Sequence, residues 1–236
     1  MSYIFISDLH LDETRPDITQ AFLHFLENTA VNAERLYILG DFFEVWLGDD
    51  DNSPFNQSII SALASLPMPR FIMHGNRDFL IGQRFCEQTG FELLTDPTRL
   101  TFFDRPVLLM HGDSLCTRDE EYMKVRAMAR YPDFKAELLS KSLEERAAIA
   151  ASARTQSKDH TRETAMDIMD VTPSEVVKVM REQEVPLLIH GHTHRPQVHE
   201  VPEARGQRVV LGDWNTKGWY LEMDKSGFSL QSFPIS

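Results

Sequence analysis

The chain has 236 residues, of which 42% are hydrophobic and 25% charged, and this is the composition of an ordinary globular protein with one large domain or a domain carrying an insertion. Its net charge of −12 argues against a nucleic-acid binder held mainly by phosphate contacts. No apolar stretch approaches the ~20 residues that a membrane-spanning helix needs, and no secretory signal is visible. Cys86 and Cys116 are not in a CxxC spacing, so we expect reduced thiols in a cytosolic protein.

Up to about residue 115, short apolar segments alternate with segments of helical period. Apolar residues recur at helical spacing in 18–28 and again in 57–66. Strands are predicted for the apolar runs 3–7, 35–39, 70–73 and 107–110. Repeated strand–helix units predict an α/β protein with a largely parallel core.

From Thr117 to Gln183 the sequence shows helical patterns and no strand pattern, with capping-box signatures at 142–145 and 172–175. We predict a helical cap at 117–184 that interrupts a core formed by 1–116 and 185–236. The stretch 118–184 holds 12 of the 24 Lys and Arg residues, which fits either an anion site or a solvated helical surface. The later runs 187–189, 209–211, 219–223 and 228–233 predict a second, more antiparallel sheet.

Five of the predicted strands end in residues that commonly bind metals. These residues are Asp8 and His10, Asp41, Asn76, His111, and His192 and His194. The carboxyl ends of the strands form the crevice of an open α/β sheet, and imidazole with carboxylate suits first-row divalent metals. A single histidine at a strand end is usually structural, but the ordered repetition on five strands favours a site for two ions, which together hydrolyse phosphate esters. Asp41 could bridge both ions.

His74 and His190 each precede the glycine of a turn that carries a candidate ligand. For both we favour packing, or a role in orienting a ligand, over direct metal binding.

The motifs at the strand ends resemble those of the calcineurin-like metallophosphoesterases over residues 8–194. They are, in chain order, Asp8-x-His10, Gly40-Asp41-x-x-Glu44, Gly75-Asn76-Arg77-Asp78, His111-Gly112-Asp113 and Gly191-His192-x-His194. In their extended form they are similar to the branch that acts on UDP-2,3-diacylglucosamine in lipid A biosynthesis. This resemblance implies a four-layer α-β-β-α sandwich with a helical cap and a centre of two divalent ions, expected to be Mn²⁺.

The resemblance also implies the role of each ligand residue. One ion would be held by Asp8, His10, Asp41 and His194, and the other by Asp41, Asn76, His111 and His192. A hydroxide bridging the two ions would attack the α-phosphorus of UDP-2,3-diacylglucosamine and release UMP and 2,3-diacylglucosamine 1-phosphate (lipid X). The catalytic residues would be Asp41, Arg77 and His192. The protein would be peripheral to the cytoplasmic face of the bacterial inner membrane, with no nucleic acid and no obligate protein partner.

Substrate contacts implied by the resemblance lie near the metal ligands and on a basic helix of the cap. They are Asn76, Arg77, Asp119, Arg154, Ser157, Lys158, Thr161, Thr164 and His192. Thr161 and Thr164 depart from the family, whose better-known members carry Asn and Lys there. Apolar residues that follow could either line a surface for acyl chains or form the core of the cap itself; they are Met166, Ile168, Met169, Val176, Val177 and Met180.

Arg77 stands where many members of the superfamily have a histidine that can protonate a leaving alkoxide. Arginine cannot act as an acid near neutral pH. A leaving phosphate monoester, whose second pKa is ~6, needs no proton, and the planar guanidinium binds phosphate well. Position 77 therefore favours a pyrophosphate substrate, unless Arg77 is only a surface residue paired with Asp78.

Two other interpretations are open. A phosphodiesterase acting on cyclic nucleotides or dinucleoside polyphosphates is less consistent with Arg77 and the long insertion. A non-catalytic protein-binding scaffold of the same fold would be expected to have lost ligand residues, and all seven are present. The ligand types also accept Fe²⁺, Co²⁺ or Zn²⁺.

Overall fold

The computed structural model describes residues 1–163 and 168–235, with the backbone alone for 158–163. Its strands are β1 (Ser2–Ile6), β2 (Arg35–Leu39), β3 (Arg70–Met73), β4 (Phe91–Leu94), β5 (Thr98–Phe102), β6 (Arg105–Leu109), β7 (Leu187–His190), β8 (Gln197–Val201), β9 (Gly206–Val210), β10 (Lys217–Asp224) and β11 (Gly227–Pro234). Its helices are α1 (Pro16–Asn28), α2 (Pro54–Ala64), α3 (Gln83–Thr89), α4 (Glu120–Arg130), α5 (Pro132–Leu139), α6 (Leu143–Glu163) and α7 (Pro173–Glu182).

The strands form two mixed sheets. The first has the order β11-β10-β1-β2-β3-β4, in which β1 to β4 are parallel and β10 is antiparallel to β1. The second has the order β5-β6-β7-β9-β8, in which β6, β7 and β9 are parallel. The prediction that all four late strands form a second, more antiparallel sheet is wrong for two of them. Strands β7 and β9 join the second sheet beside β6, but β10 pairs with β1 and β11 with β10, so both extend the first sheet.

Alternate residues of each central strand face different layers, as the two-residue period of a strand requires. In β1, Ile4 and Ile6 pack with the helices of the first sheet, whereas Phe5 packs between the sheets. In β7, Leu188 faces α7, whereas Leu187 and Ile189 lie between the sheets. These three apolar layers separate helices, sheet, sheet and helix, so the fold is the expected α-β-β-α sandwich.

Helix α7 covers the second sheet. Val176 and Met180 are buried with Leu108 and Leu188 of the strands beneath them. Of the two interpretations given above for this apolar face, the structure therefore places the α7 part in the core of the sandwich. Met166 lies outside the described residues.

Helices α4 to α6 lie between β6 and β7 in the chain, and the described residues there contain no strand. Helix α4 buries none of its residues completely, and α5 buries only Leu138. The long helix α6 is tied to the core by Arg146, which pairs with Asp50 and donates from Nη1 to the Leu47 carbonyl at 2.6 Å. None of the described helices has the length and apolar character needed to cross a bilayer.

Candidate metal centre

Two groups of potential metal ligands lie side by side where strands of both sheets end. In the first cluster, ligand atoms of Asp8, His10 and His194 all lie within 4.8 Å of one another. The second cluster meets the same limit and contains Asp41, His111 and His192. Six of the seven residues proposed as ligands thus form two compact groups, although they come from four distant parts of the chain.

Asp41 lies between the clusters. Its Oδ1 is 3.8 Å from His111 Nε2, and its Oδ2 is 3.9 Å from His10 Nε2 in the other cluster. Asn76, the seventh residue, places its Oδ1 3.1 Å from both His111 Nε2 and His192 Nδ1. The structure therefore brings all seven side chains together, with the carboxylate of Asp41 between the two clusters.

Three of these histidines have one ring nitrogen in contact with a carboxylate or a carbonyl and the other turned toward a cluster. Nδ1 of His111 donates to the Leu39 carbonyl at 2.9 Å, and Nδ1 of His10 lies 2.8 Å from Glu44 Oε2. In His194, Nδ1 is 3.8 Å from Asp213 Oδ2. Metal-binding histidines usually have such a partner, because it leaves the lone pair of the second nitrogen for the ion. These donors fit a pair of divalent cations.

The turns after the strands hold the ligands in an uncommon backbone conformation. Asp8, His10, Asp41, His192 and His194 have φ angles between 50° and 68°, in the left-handed region that non-glycine residues seldom adopt. Hydrogen bonds from backbone N–H groups to the carboxylates hold these turns together. His192 N–H donates to Asp8 Oδ2 at 2.9 Å, and Arg77 N–H donates to Asp41 Oδ1 at 2.8 Å.

Two glycines allow the turns to approach each other closely. A Cβ on Gly75 would lie 2.0 Å from Asp41 Oδ1, and a Cβ on Gly191 would lie 2.2 Å from Asp8 Oδ2. Any side chain at either position would displace a carboxylate of the clusters. The glycines next to Asn76 and His192 are therefore part of the geometry of the site.

The electrostatics of the site follow from burying several carboxylates and imidazoles together. Burial disfavours a charged ring, yet the charges of Asp41 and Asp113 raise the pKa of His111 to about 9. Burial likewise opposes the charged form of His194, but the hydrogen bond and charge of Asp8 raise its pKa to about 9. The carboxylates thus create a negative site that attracts cations.

A cavity of about 260 Å³ opens onto the two clusters. Among the residues that line it are five of the proposed substrate contacts, namely Asn76, Arg77, Asp119, Ser157 and His192. Met169 also lines it and gives the cavity an apolar wall on the cap side. The side chains of Lys158 and Thr161, and all of Thr164, lie outside the described residues.

Arg77 is directed to the site and not to its neighbour in the chain. The carboxylate of Asp78 is fully buried and accepts from the backbone N–H groups of Gly75 at 2.7 Å and Phe42 at 2.8 Å. The ion pairs among the described residues do not include Arg77 with Asp78, so the alternative of a surface pair is not supported. Arg77 lines the cavity together with Asn76.

Arg154 contacts the core directly. Its Nη2 lies 2.8 Å from Glu44 Oε1, while the other oxygen of Glu44 contacts His10. Sequence reasoning quoted Glu44 in a motif without giving it a role. The signal that could have revealed it is its spacing of three residues from Asp41, in a turn where a carboxylate can reach a neighbouring imidazole.

A second group that sequence reasoning missed connects α4 to the site. Tyr122 lies over the His192 ring, with centroids 5.4 Å apart, and its hydroxyl donates to Asp113 Oδ2 at 3.1 Å. Arg126 Nε is 2.9 Å from the same Asp113 oxygen. Arg130 donates to the Gly75 carbonyl at 3.1 Å, directly before Asn76. These residues share one helical face, so their spacing was the available signal.

His74 and His190 are outside both clusters and support the turns. His74 Nε2 donates to the Ile81 carbonyl at 2.7 Å, and His190 Nδ1 donates to the Gly191 carbonyl at 2.8 Å. Burial lowers the pKa of His74 to about 4 and that of His190 to about 3, so both rings are neutral at pH 7.

The fold and the motifs are shared with known proteins. Residues 1–196 match the family model for calcineurin-like phosphoesterases. A UDP-2,3-diacylglucosamine hydrolase from Ectopseudomonas mendocina is 54% identical over 99% of this chain and 98% of its own length, and one from Stutzerimonas stutzeri is 52% identical over 99% of both chains.

Solved structures share the fold at low sequence identity. An archaeal phosphodiesterase aligns over 99% of this chain and 100% of its own, with a TM-score of 0.52 and 15% identity. A vacuolar protein sorting 29 structure from Cryptosporidium parvum covers 99% of this chain and 97% of its own, with a TM-score of 0.52 and 12% identity. The chain therefore belongs to the calcineurin-like phosphoesterase family and, within it, to the group that contains these UDP-2,3-diacylglucosamine hydrolases.

Proposed function

We propose that the protein is a metal-dependent hydrolase that cleaves the pyrophosphate of UDP-2,3-diacylglucosamine into UMP and 2,3-diacylglucosamine 1-phosphate, a step of lipid A biosynthesis. The observation that carries this proposal is the joint presence of two ligand clusters bridged by Asp41 and of Arg77 at the cavity that they face. The names of full-length relatives at 50–54% identity supply the substrate.

Divalent ions held by the two clusters, for which we propose Mn²⁺, would supply an activated water nucleophile and Lewis acidity at the phosphate oxygens. The role of the chain is to place ligands and to bind the diphosphate. Asn76 and His192 lie at the second cluster and line the same cavity, so each can contact both an ion and a substrate oxygen. Arg77 stabilises the negative charge that develops on the departing phosphate through charge-assisted hydrogen bonds.

The direct test is hydrolysis in ¹⁸O-labelled water by the protein loaded with Mn²⁺. Attack on the α-phosphorus places the label in UMP, whereas attack on the β-phosphorus places it in the lipid phosphate. UDP-N-acetylglucosamine and an aryl phosphodiester serve as matched substrates without acyl chains. Turnover of the aryl phosphodiester with none of the diacyl nucleotide would favour the phosphodiesterase alternative and contradict the proposal.

Substrate contacts on the basic helix are also part of the proposal. Arg154 lies within reach of the site through Glu44, and its guanidinium carries further N–H donors that can bind phosphate. We expect Arg154→Ala and Lys158→Ala to raise KM more than they lower kcat. An unchanged KM in both variants would remove α6 from substrate binding.

We further propose a peripheral position at the cytoplasmic face of the inner membrane, because the lipid product and substrate reside in a bilayer. Support comes from large apolar side chains that are exposed on α4 to α6 and between them, namely Val125, Met128, Tyr131, Leu139 and Ile149. Flotation with vesicles of phosphatidylethanolamine and phosphatidylglycerol tests this, with Val125→Asp/Met128→Asp as the variant expected to lose binding. Equal flotation of the two proteins would contradict this membrane surface.

A further inference from the structure

Glu44 connects the two parts of the molecule that meet at the cavity. Its Oε2 lies 2.8 Å from His10 Nδ1 in the core, and its Oε1 lies 2.8 Å from Arg154 Nη2 on the cap helix α6. The side chains of Glu44 and His10 are only 17% and 19% exposed, so their contact is shielded from water, whereas Arg154 is 34% exposed. One carboxylate thus contacts a candidate metal ligand and a candidate substrate-binding cation.

The contact with His10 determines what that ring can offer to an ion. A carboxylate at Nδ1 keeps the proton on that nitrogen and leaves the lone pair on Nε2. Nε2 is the atom of His10 that faces the first cluster, where it lies 3.4 Å from His194 Nε2. Removing the carboxylate would leave the ring free to rotate or to change tautomer, and both changes weaken a metal site.

The contact with Arg154 determines where the cap presents its positive charge. Arg146, which ties α6 to Asp50, lies eight residues before Arg154, a separation of ~12 Å along a helix. The ion pair of Arg154 with Glu44 is therefore a second point of attachment, at the end of α6 nearer the cavity. Without it, the guanidinium would be free to sample other side-chain conformations, and binding a phosphate would require ordering it again.

We propose that Glu44 is a positioning residue that couples the cap to the metal centre, by fixing His10 with one oxygen and holding Arg154 with the other. The proposal rests on the proposed function, because it takes His10 as a metal ligand and Arg154 as a substrate contact. It predicts two separable effects at one side chain: one on metal affinity through His10, and one on substrate affinity through Arg154.

Two substitutions of Glu44 separate these effects. Glu44→Ala removes both contacts, so the Mn²⁺ affinity of one of the two sites should fall by ~10- to 100-fold, as is typical when the partner of a metal-binding histidine is lost. Glu44→Gln keeps a carbonyl oxygen for His10 Nδ1 but loses the charge that holds Arg154. Its Mn²⁺ affinity should stay within ~3-fold of the parent protein, since neutral amides also fix such rings.

Mn²⁺ titration of the metal-free protein, by calorimetry and by electron paramagnetic resonance of the bound ion, measures the first effect without substrate. Glu27→Gln on the exposed face of α1 is the matched control, and circular dichroism verifies that each variant is folded. Mn²⁺ binding by Glu44→Ala that equals the parent at both sites would overturn the role toward His10. This titration does not depend on the identity of the substrate, so it separates the failure of this inference from failure of the proposed function.

Steady-state kinetics measures the second effect. Glu44→Gln and Arg154→Ala should each raise KM by ~10-fold, and the double variant should be no worse than Arg154→Ala alone, because both changes remove the same ion pair. Arg154→Ala should leave Mn²⁺ affinity unchanged. Multiplicative KM effects in the double variant would overturn the coupling.

Discussion

At the sheet edge, Asp8, Asp41 and His111 are buried and each is held by backbone hydrogen bonds, whereas the neighbouring helix α4 buries none of its residues completely. The cap reaches the core through ion pairs and hydrogen bonds, such as Arg146 with Asp50 and Arg126 with Asp113. The comparison teaches that the candidate metal ligands lie on buried strand ends, whereas the helices proposed to recognise the substrate are attached to the core largely by polar contacts. The predictions below test that division.

The largest effect is expected at the bridging carboxylate of the core. Asp41→Asn removes the charge that both clusters share, so kcat should fall by ~10³-fold or more, since two-metal chemistry supplies several kcal/mol of transition-state stabilisation. KM and the melting temperature should change little. Activity near that of the parent protein, at saturating Mn²⁺, would break the two-cluster scheme.

Arg77 is expected to contribute less than Asp41 because it binds charge and carries no metal. Arg77→Ala should lower kcat/KM for the lipid pyrophosphate by ~10²- to 10³-fold. Arg77→Lys should recover part of the loss, as a point charge without the planar fork. If Arg77→Ala hydrolyses the substrate with normal kcat/KM, position 77 has no part in the chemistry.

The next prediction concerns the attachment of the cap to the core, which Arg146→Met weakens. Loss of the pair with Asp50 and of the bond to the Leu47 carbonyl should release α6, raise KM by ~10-fold and speed limited proteolysis within 143–163. Arg181→Met on α7, whose Nε donates to the Glu203 carbonyl at 2.9 Å, is the matched control far from the cavity. Equal proteolysis of both variants would show that the cap does not depend on this attachment.

The smallest expected effect is the number of protons that the protein releases when it binds Mn²⁺. With pKa values raised to about 9, the rings of His111 and His194 carry a second proton at pH 7.5 in the metal-free protein, whereas the ring of His192, whose pKa burial lowers to about 4, is neutral. Metal binding must displace those protons, so Mn²⁺ affinity should rise as the pH increases from 7 toward 9. Calorimetry in buffers of different ionisation enthalpy should count up to two protons released at pH 7.5, and none released would contradict the assignment.

The candidate ligand residues could be proposed from sequence because each lies two to four residues beyond the end of a strand, and parallel strands end at a common edge. Asp8 and Asp41 lie two residues beyond β1 and β2, so local pattern was sufficient. The sheet that a strand joins could not be predicted from its local sequence. For example, β10 pairs with β1, which lies more than 200 residues earlier, and nothing within 217–224 indicates that partner. The role proposed for Glu44 was missed for a similar reason, because its two partners, His10 and Arg154, lie 34 residues before it and 110 residues after it.

The edge strands could not be predicted from local pattern, and the helical spacing of Tyr122, Arg126 and Arg130 does not indicate what that face of α4 covers. Strands such as β4 and β8 are short and half-exposed, so they lack a clear apolar period. Tyr122 is an ordinary helical residue until the fold places His192 beneath it. The boundaries of the predicted cap, 117 and 184, stay a prediction. The packing of α7 on the second sheet favours a cap that ends before α7.

The left-handed backbone at Asp8, His10, Asp41, His192 and His194 has a consequence for how such a protein evolves. Each non-glycine residue in that region costs of order 1 kcal/mol, and glycine would adopt it without penalty. A search for heat-tolerant variants that does not also select for turnover should therefore recover glycine or asparagine at His194, which is partly exposed, before Asp8 or Asp41, whose buried carboxylates accept backbone N–H bonds.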